Sequence, residues 1–102
     1  MSSQFGNKIR TLREEQNLLL RQVASILEMD TAQLSKIERG ERQAKKETVL
    51  KIAVILKVKD DELLTLWLAD QIYDVVKDEK NALKAMMVAE EKVEYLKTHK
   101  QK

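Results

Sequence analysis

An all-α fold is predicted by three features of this sequence. Its 102 residues contain no proline, carry glycine only at positions 6 and 40, and are rich in Leu, Lys, Glu, Ala and Ile, a composition that favours helix and gives strands little support. Apolar residues recur three and four positions apart along most of the chain, the spacing of a single helical face. Ser3, Asn17, Asp30, Gly40 and Asp60 punctuate that pattern, and each suits the start or stop of a helix. At 43% hydrophobic residues the chain can fill one core, with an extension, but not two independent ones.

The first helix is predicted from a Ser3 cap to about Gln16, with Phe5, Ile9 and Leu12 facing inward and Arg10 and Arg13 pointing away. Asn17 can close it in a left-handed conformation. The next element starts within Leu18 to Leu20 without a Ser, Thr or Asp cap and turns Val23, Ala24, Ile26 and Leu27 inward, with Met29 plugging the corner that follows. Asp30 is the expected N-cap of a third helix anchored by Leu34 and Ile37, and Gly40 is its expected stop. A fourth helix begins between Ala44 and Glu47, buries Val49, Leu50, Ile52, Ala53 and Leu56, and ends near Lys57. The fifth, from Asp60 or Asp61, has acidic residues in its first turn, where they complement the helix dipole, and then the apolar run LLTLWLA. A last helix is expected from about Asp78 to Leu96, and the terminal KTHKQK is expected to fray.

The segment Gln22 to Gly40 reads as two short amphipathic helices joined by a tight corner, the form of a helix-turn-helix DNA reader. A major groove about 12 Å wide admits one helix whose inner face is apolar and whose outer face is short and polar. Thr31, Ala32, Gln33, Ser35 and Lys36 supply such a face. Gln33 and Lys36 lie three apart and can meet base edges together, Gln suiting adenine and Lys suiting guanine, while Thr31 and Ala32 at the helix start can touch a phosphate or a thymine methyl. Arg39, Arg42, Lys45 and Lys46 crowd the turn beyond it, where phosphate neutralisation would use them. Net charge is only +2, but its distribution is uneven: residues 1–58 hold 11 Lys/Arg against 7 Asp/Glu, whereas residues 59–102 hold 8 against 10. The basic excess lies with the reader and the acidic excess with the extension.

With its elements in this order, the first seventy or so residues resemble the lambda repressor and Cro family of five-helix DNA-binding domains, also called the xenobiotic-response-element type. The resemblance is carried by F-G-x-x-I-R-x-L-R at Phe5 to Arg13, V-A at Val23 and Ala24, L-S-K-I-E-R-G-E-R at Leu34 to Arg42, and L-x-I-A-x-x-L at Leu50 to Leu56. It implies a five-helix lambda-repressor-like domain over residues 1–70 with a C-terminal helical extension over 71–102, acting as a homodimer whose recognition helices enter successive major grooves of a partly palindromic site about 34 Å apart. It also implies base contacts by Thr31, Ala32, Gln33 and Lys36, phosphate contacts by Arg10, Gln22, Ser35, Arg39, Arg42 and Lys46, and a buried Glu38 paired with Arg10 or Arg13. The chain departs from the family pattern at Leu19 and Leu20, which replace a Ser or Thr cap followed by Gln, at Glu28, which replaces the usual Gly, and in lacking a Pro after the recognition loop. Among family members it looks most like small restriction-modification controller proteins or stand-alone regulators.

Leu63, Leu64, Leu66, Trp67 and Leu68 cannot all face one core, so a dimer interface through Leu63, Leu66, Trp67, Ile72 and Tyr73 is expected, with Leu83, Met86, Met87, Val93 and Leu96 of the last helix as further cover. An antitoxin or interaction module, whose C-terminal helices bind a different protein, is the alternative. No cysteine is present, and the single histidine, His99, stands in the terminal stretch, so no metal, cofactor or small-molecule ligand is expected. Asp60 with Asp61, and Glu90 with Glu91, read as solvating charge, and with no nucleophile or phosphate-loop motif the chain is not expected to be an enzyme. No segment approaches the roughly 18 consecutive apolar residues of a membrane span, and a cytoplasmic location is expected.

Overall fold

The computed structural model describes residues 3–99 as six helices with no strand among the described residues. They are α1 (Gln4–Glu15), α2 (Leu20–Ile26), α3 (Thr31–Glu38), α4 (Lys46–Leu56), α5 (Asp60–Val76) and α6 (Ala82–His99). Backbone packing separates a first unit ending at Gln71 from a second beginning at Ile72.

In the first unit, Phe5 and Ile9 of α1, Val23, Ala24 and Leu27 around α2, Leu34 and Ile37 of α3, Val49, Ile52, Ala53 and Leu56 of α4 and Leu63 of α5 form one buried core, with Leu12, Leu18, Leu20 and Met29 packed around it. Ile26 and Leu50 were expected inward and are exposed instead. Leu20, Val23, Ala24 and Leu27 already make a full i, i+3, i+4, i+7 stripe, which leaves Ile26 about a third of a turn outside it at 63% exposure.

Each of the first four helices ends in the same way. The chain turns through a left-handed residue, Asn17 (φ 57°), Glu28 (φ 58°), Gly40 (φ 77°) or Lys57 (φ 60°). At each, the following amide reaches back to the helix: Leu18 N–H to Arg13 O at 3.0 Å, Met29 N–H to Ala24 O at 2.9 Å, Glu41 N–H to Lys36 O at 2.8 Å, and Val58 N–H to Ala53 O at 3.0 Å. These are Schellman closures, which satisfy carbonyls that the helix leaves without partners. The α4 end is further tied by Gln16, whose Nε2 donates to Leu56 O at 2.7 Å.

The start of α1 is capped twice. Ser3 Oγ accepts from Gly6 N–H at 2.8 Å and donates to Asp70 Oδ2 at 2.6 Å, and Asp70 also accepts from the amides of Gln4 and Phe5, both at 3.0 Å. A carboxylate late in α5 thus completes the first turn of the first helix. Gly6 is required here, because a Cβ would stand 2.4 Å from Glu38 O and 2.8 Å from Ile37 O, so α1 meets the end of α3 backbone to backbone.

Several expectations are corrected. Arg13 does not point away: its side chain is 12% exposed and lies against Glu38. Asp30 occupies the N-cap position of α3 without making a side-chain capping bond. Leu63, expected at a dimer interface, has 0% exposure because it is part of the buried core, and it has no surface to offer a partner. In the second unit, α6 begins at Ala82 rather than near Asp78 and buries none of its own residues, so Leu83, Met87, Val93 and Leu96 remain exposed. Of the terminal stretch, Lys97 to His99 continue α6, with the His99 ring stacked on Tyr95 at 3.9 Å, and residues 100–102 lie outside the described residues.

Candidate nucleic-acid interface

The corner between α2 and α3 is only Leu27 to Asp30, with Leu27 buried and Met29 packed against the core. It delivers α3 with Leu34, Ile37 and Glu38 inward. The opposite side carries Ala32, Ser35, Lys36 and Arg39, an i, i+3, i+4, i+7 stripe in which Ala32, Lys36 and Arg39 are exposed and Ser35 is half-buried. Thr31 is exposed at the first turn, and Gln33 flanks the stripe, half-buried. Every base-reading candidate therefore lies outside the core, with Gln33 at its margin.

Glu38 fixes the end of this helix from within. Its carboxylate accepts from Arg13 Nε at 2.8 Å and Nη2 at 3.0 Å, and the third guanidinium nitrogen donates to Leu18 O at 2.9 Å. The choice between Arg10 and Arg13 is thereby made for Arg13, which follows Ile9 by one turn. The hydrogen bond to Glu38 raises the Arg13 pKa above its ordinary value. Arg10 is exposed and pairs with Glu14 at 3.2 Å.

The phosphate candidates surround the stripe. Gln22 is exposed, and its Oε1 accepts from Leu19 N–H at 2.7 Å, the half of a capping box that needs no acceptor on Leu19, leaving the amide nitrogen as a donor. Arg42 is exposed in the loop after α3, and Lys46 is exposed at the first position of α4. That loop is held by Ala44, which is buried and whose carbonyl accepts from Trp67 Nε1 at 2.8 Å. Trp67 is half-buried, so its indole serves the basic loop as well as the core. Sequence reasoning did not assign it that role, nor did it single out Glu41. Arg39 Nε and Nη2 donate to the two Glu41 carboxylate oxygens at 2.9 and 3.1 Å, and Nη1 donates to Ser35 Oγ. The only trace of this pair in the sequence is an acid two residues after an arginine, across a glycine. No cluster of His, Cys, Asp or Glu able to hold a metal exists among the described residues.

A family model described as a helix-turn-helix domain matches residues 4–66. The chain belongs to this helix-turn-helix family. The match covers α1 to α4 and the first part of α5, including every base and phosphate candidate described above but stopping one residue before Trp67. Two curated relatives from Bacillus subtilis (strain 168) are similar to it: an uncharacterized HTH-type transcriptional regulator, RghRB, at 38% identity over 61% of this chain, and the HTH-type transcriptional repressor RghR at 38% identity over 59%. The chain spans 45% of the length of each. Among solved structures, the restriction-modification controller protein C.AhdI from Aeromonas hydrophila is similar at 30% identity with a TM-score of 0.55, over 58% of this chain and 89% of the controller. The helix-turn-helix fold and the likeness to a controller protein agree with what the sequence led us to expect.

Proposed function

We propose that this chain is a sequence-specific, DNA-binding transcriptional regulator, without catalytic activity, that acts as a homodimer on a partly palindromic operator in the cytoplasm. One observation carries the reading: a rigid, core-anchored α3 turns Ala32, Ser35, Lys36 and Arg39 outward as one stripe, beside a basic loop pinned by Trp67. Membership of a helix-turn-helix family, the regulators named among its relatives and the absence of any described helix long and apolar enough to cross a membrane support it.

In this reading residues 1–70 form the DNA-binding domain and 71–102 an extension for self-association. Thr31, Ala32, Gln33 and Lys36 read base edges, and Arg10, Gln22, Ser35, Arg39, Arg42 and Lys46 contact or flank phosphates. Ile72 and Tyr73, both about half exposed, serve the dimer interface, with Leu66 and Trp67 contributing what their half-buried side chains leave free. Leu63 is withdrawn from it. A different protein on the exposed apolar residues of α6 is the competing occupant of the extension.

The test is selection of bound sites from random duplex DNA, followed by Gln33→Ala and Lys36→Ala. Each base contact contributes about 1–3 kcal/mol of discrimination, so the double variant is expected to relax preference at defined positions of the selected site. Arg42→Gln or Lys46→Gln should instead weaken binding to every sequence and lower the salt dependence by about one ion each. Unchanged discrimination in the double variant would remove these side chains from the reading surface.

A further inference from the structure

A helix that simply continued past Arg39 would place Glu41 on the opposite side, because side chains two apart do not face each other. Gly40 prevents this. At φ 77° it reverses the chain, and Glu41 N–H closes on Lys36 O at 2.8 Å. A Cβ on Gly40 would lie 2.8 Å from the Ser3 Cβ, so the turn is sterically matched to glycine as well. The Glu41 carboxylate is thereby folded back onto the outward stripe of α3, where it takes Arg39 in a fork of two hydrogen bonds.

We propose that Glu41 is an internal stand-in for a DNA phosphate: it occupies Arg39 in the free protein and must surrender it when duplex DNA arrives, so that the chain's background affinity for DNA of any sequence is held down. This rests on the reading of α3 as a DNA reader. A carboxylate presents to a guanidinium the same pair of acceptor oxygens that a phosphate does, so the exchange preserves the geometry at Arg39. The partners are half exposed, at 50% and 54% of their side-chain surface, and the swap needs no opening of the core. Ser35 Oγ accepts from the remaining guanidinium nitrogen and keeps the fork aimed outward during the exchange. Both groups are charged around neutrality: the hydrogen bond from Arg39 lowers the Glu41 pKa and nearby Lys36 lowers it further, while the bond to Glu41 raises that of Arg39. Arg42 and Lys45 on the loop beyond and Lys46 at the start of α4 have no ion pair among the described bridges, so Arg39 is the cation next to this loop that is already taken, as Arg10 is by Glu14 on α1.

The experiment measures binding of the full chain to a mixed-sequence duplex by fluorescence anisotropy across a salt series, for the parent, Glu41→Gln, Arg39→Gln and the double variant. Glutamine keeps the shape of each site and removes the charge. Glu41→Gln should tighten binding about 3- to 10-fold at low salt and steepen the salt dependence by about one released ion, the signature of one more cation free to meet a phosphate. In the Arg39→Gln background the same change should give less than half of that gain. An equal gain in both backgrounds, or no gain in either, overturns the proposal while leaving the DNA reading intact, provided that Arg42→Gln and Lys46→Gln weaken binding. A parent that does not bind duplex even at low salt removes the reading of α3, and this proposal with it.

Discussion

Arg13 and Glu38 show how a charge pair can be structural while lying within two residues of a functional surface. Their side chains are 12% and 7% exposed, so removing one partner strands the other in a site with little water. Glu38→Ala is expected to cost about 2–4 kcal/mol, read as a fall in the urea midpoint at unchanged slope. The sign of the pH dependence follows from the raised Arg13 pKa. Its contribution is fully present below the ordinary arginine range and is lost only as pH rises through the still higher folded value, so the Glu38→Ala deficit should stay flat across neutral and mildly alkaline pH. Glu41 has the opposite sign. Its lowered pKa gives a contribution present above the ordinary carboxylate range and lost as pH falls through the folded value, so parent and Glu41→Gln should converge in stability on the acid side. The buried acid at position 38 was legible through family resemblance, but the choice of Arg13 over Arg10 was not. The two lie three apart on one helix, and only the docking angle of α1 against α3 separates them.

At the scale of the element, the helices themselves were legible because their apolar spacing repeats, and Asn17, Gly40 and Asp60 marked turns where they were expected. The repeated Schellman ending was less so, since two of its left-handed positions are held by Glu28 and Lys57, of which the first is marked only by the Gly usual there in the family and the second by no residue type. A side chain in that conformation costs roughly 1–2 kcal/mol, and glycine gives back about half through its greater freedom when unfolded. Glu28→Gly should therefore raise stability by about 0.5–1 kcal/mol. Gly40→Ala should lower it by about 1–3 kcal/mol, since strain at φ 77° adds to the clash with Ser3. Thermal melts of both variants check the pair, and a neutral Gly40→Ala would contradict the packing at Ser3. Ile26 and Leu50 were misplaced for a related reason: an apolar residue beside a full stripe looks, in sequence, like part of it.

On the scale of the whole molecule, the two units differ in how they use apolar residues. The first packs a buried core from Phe5 to Leu63 and leaves some, such as Ile26 and Val54, outside it, whereas in the second Ile72, Tyr73, Leu83, Met87 and Leu96 all stay exposed. The apolar run at Leu63 to Leu68 announced more greasy surface than one core could absorb, but not which residues would be left over: Leu63 went inside, and Trp67 was tied to Ala44. Self-association through the extension predicts a concentration-dependent mass by sedimentation, and Ile72→Glu with Tyr73→Glu should shift it to monomer and weaken operator binding at least 10-fold, the loss of one linked half-site. A mass insensitive to both changes would point to a different protein as the occupant.

The Asp70 carboxylate has a consequence for the order in which the chain matures. Because it takes the hydroxyl of Ser3, 67 positions earlier, and the amides of Gln4 and Phe5 after it, the first turn of α1 gains its full set of partners only once the chain has been made as far as α5. A chain stopped short of Asp70 would keep the Ser3 hydroxyl on the Gly6 amide but leave the amides of Gln4 and Phe5 without their carboxylate.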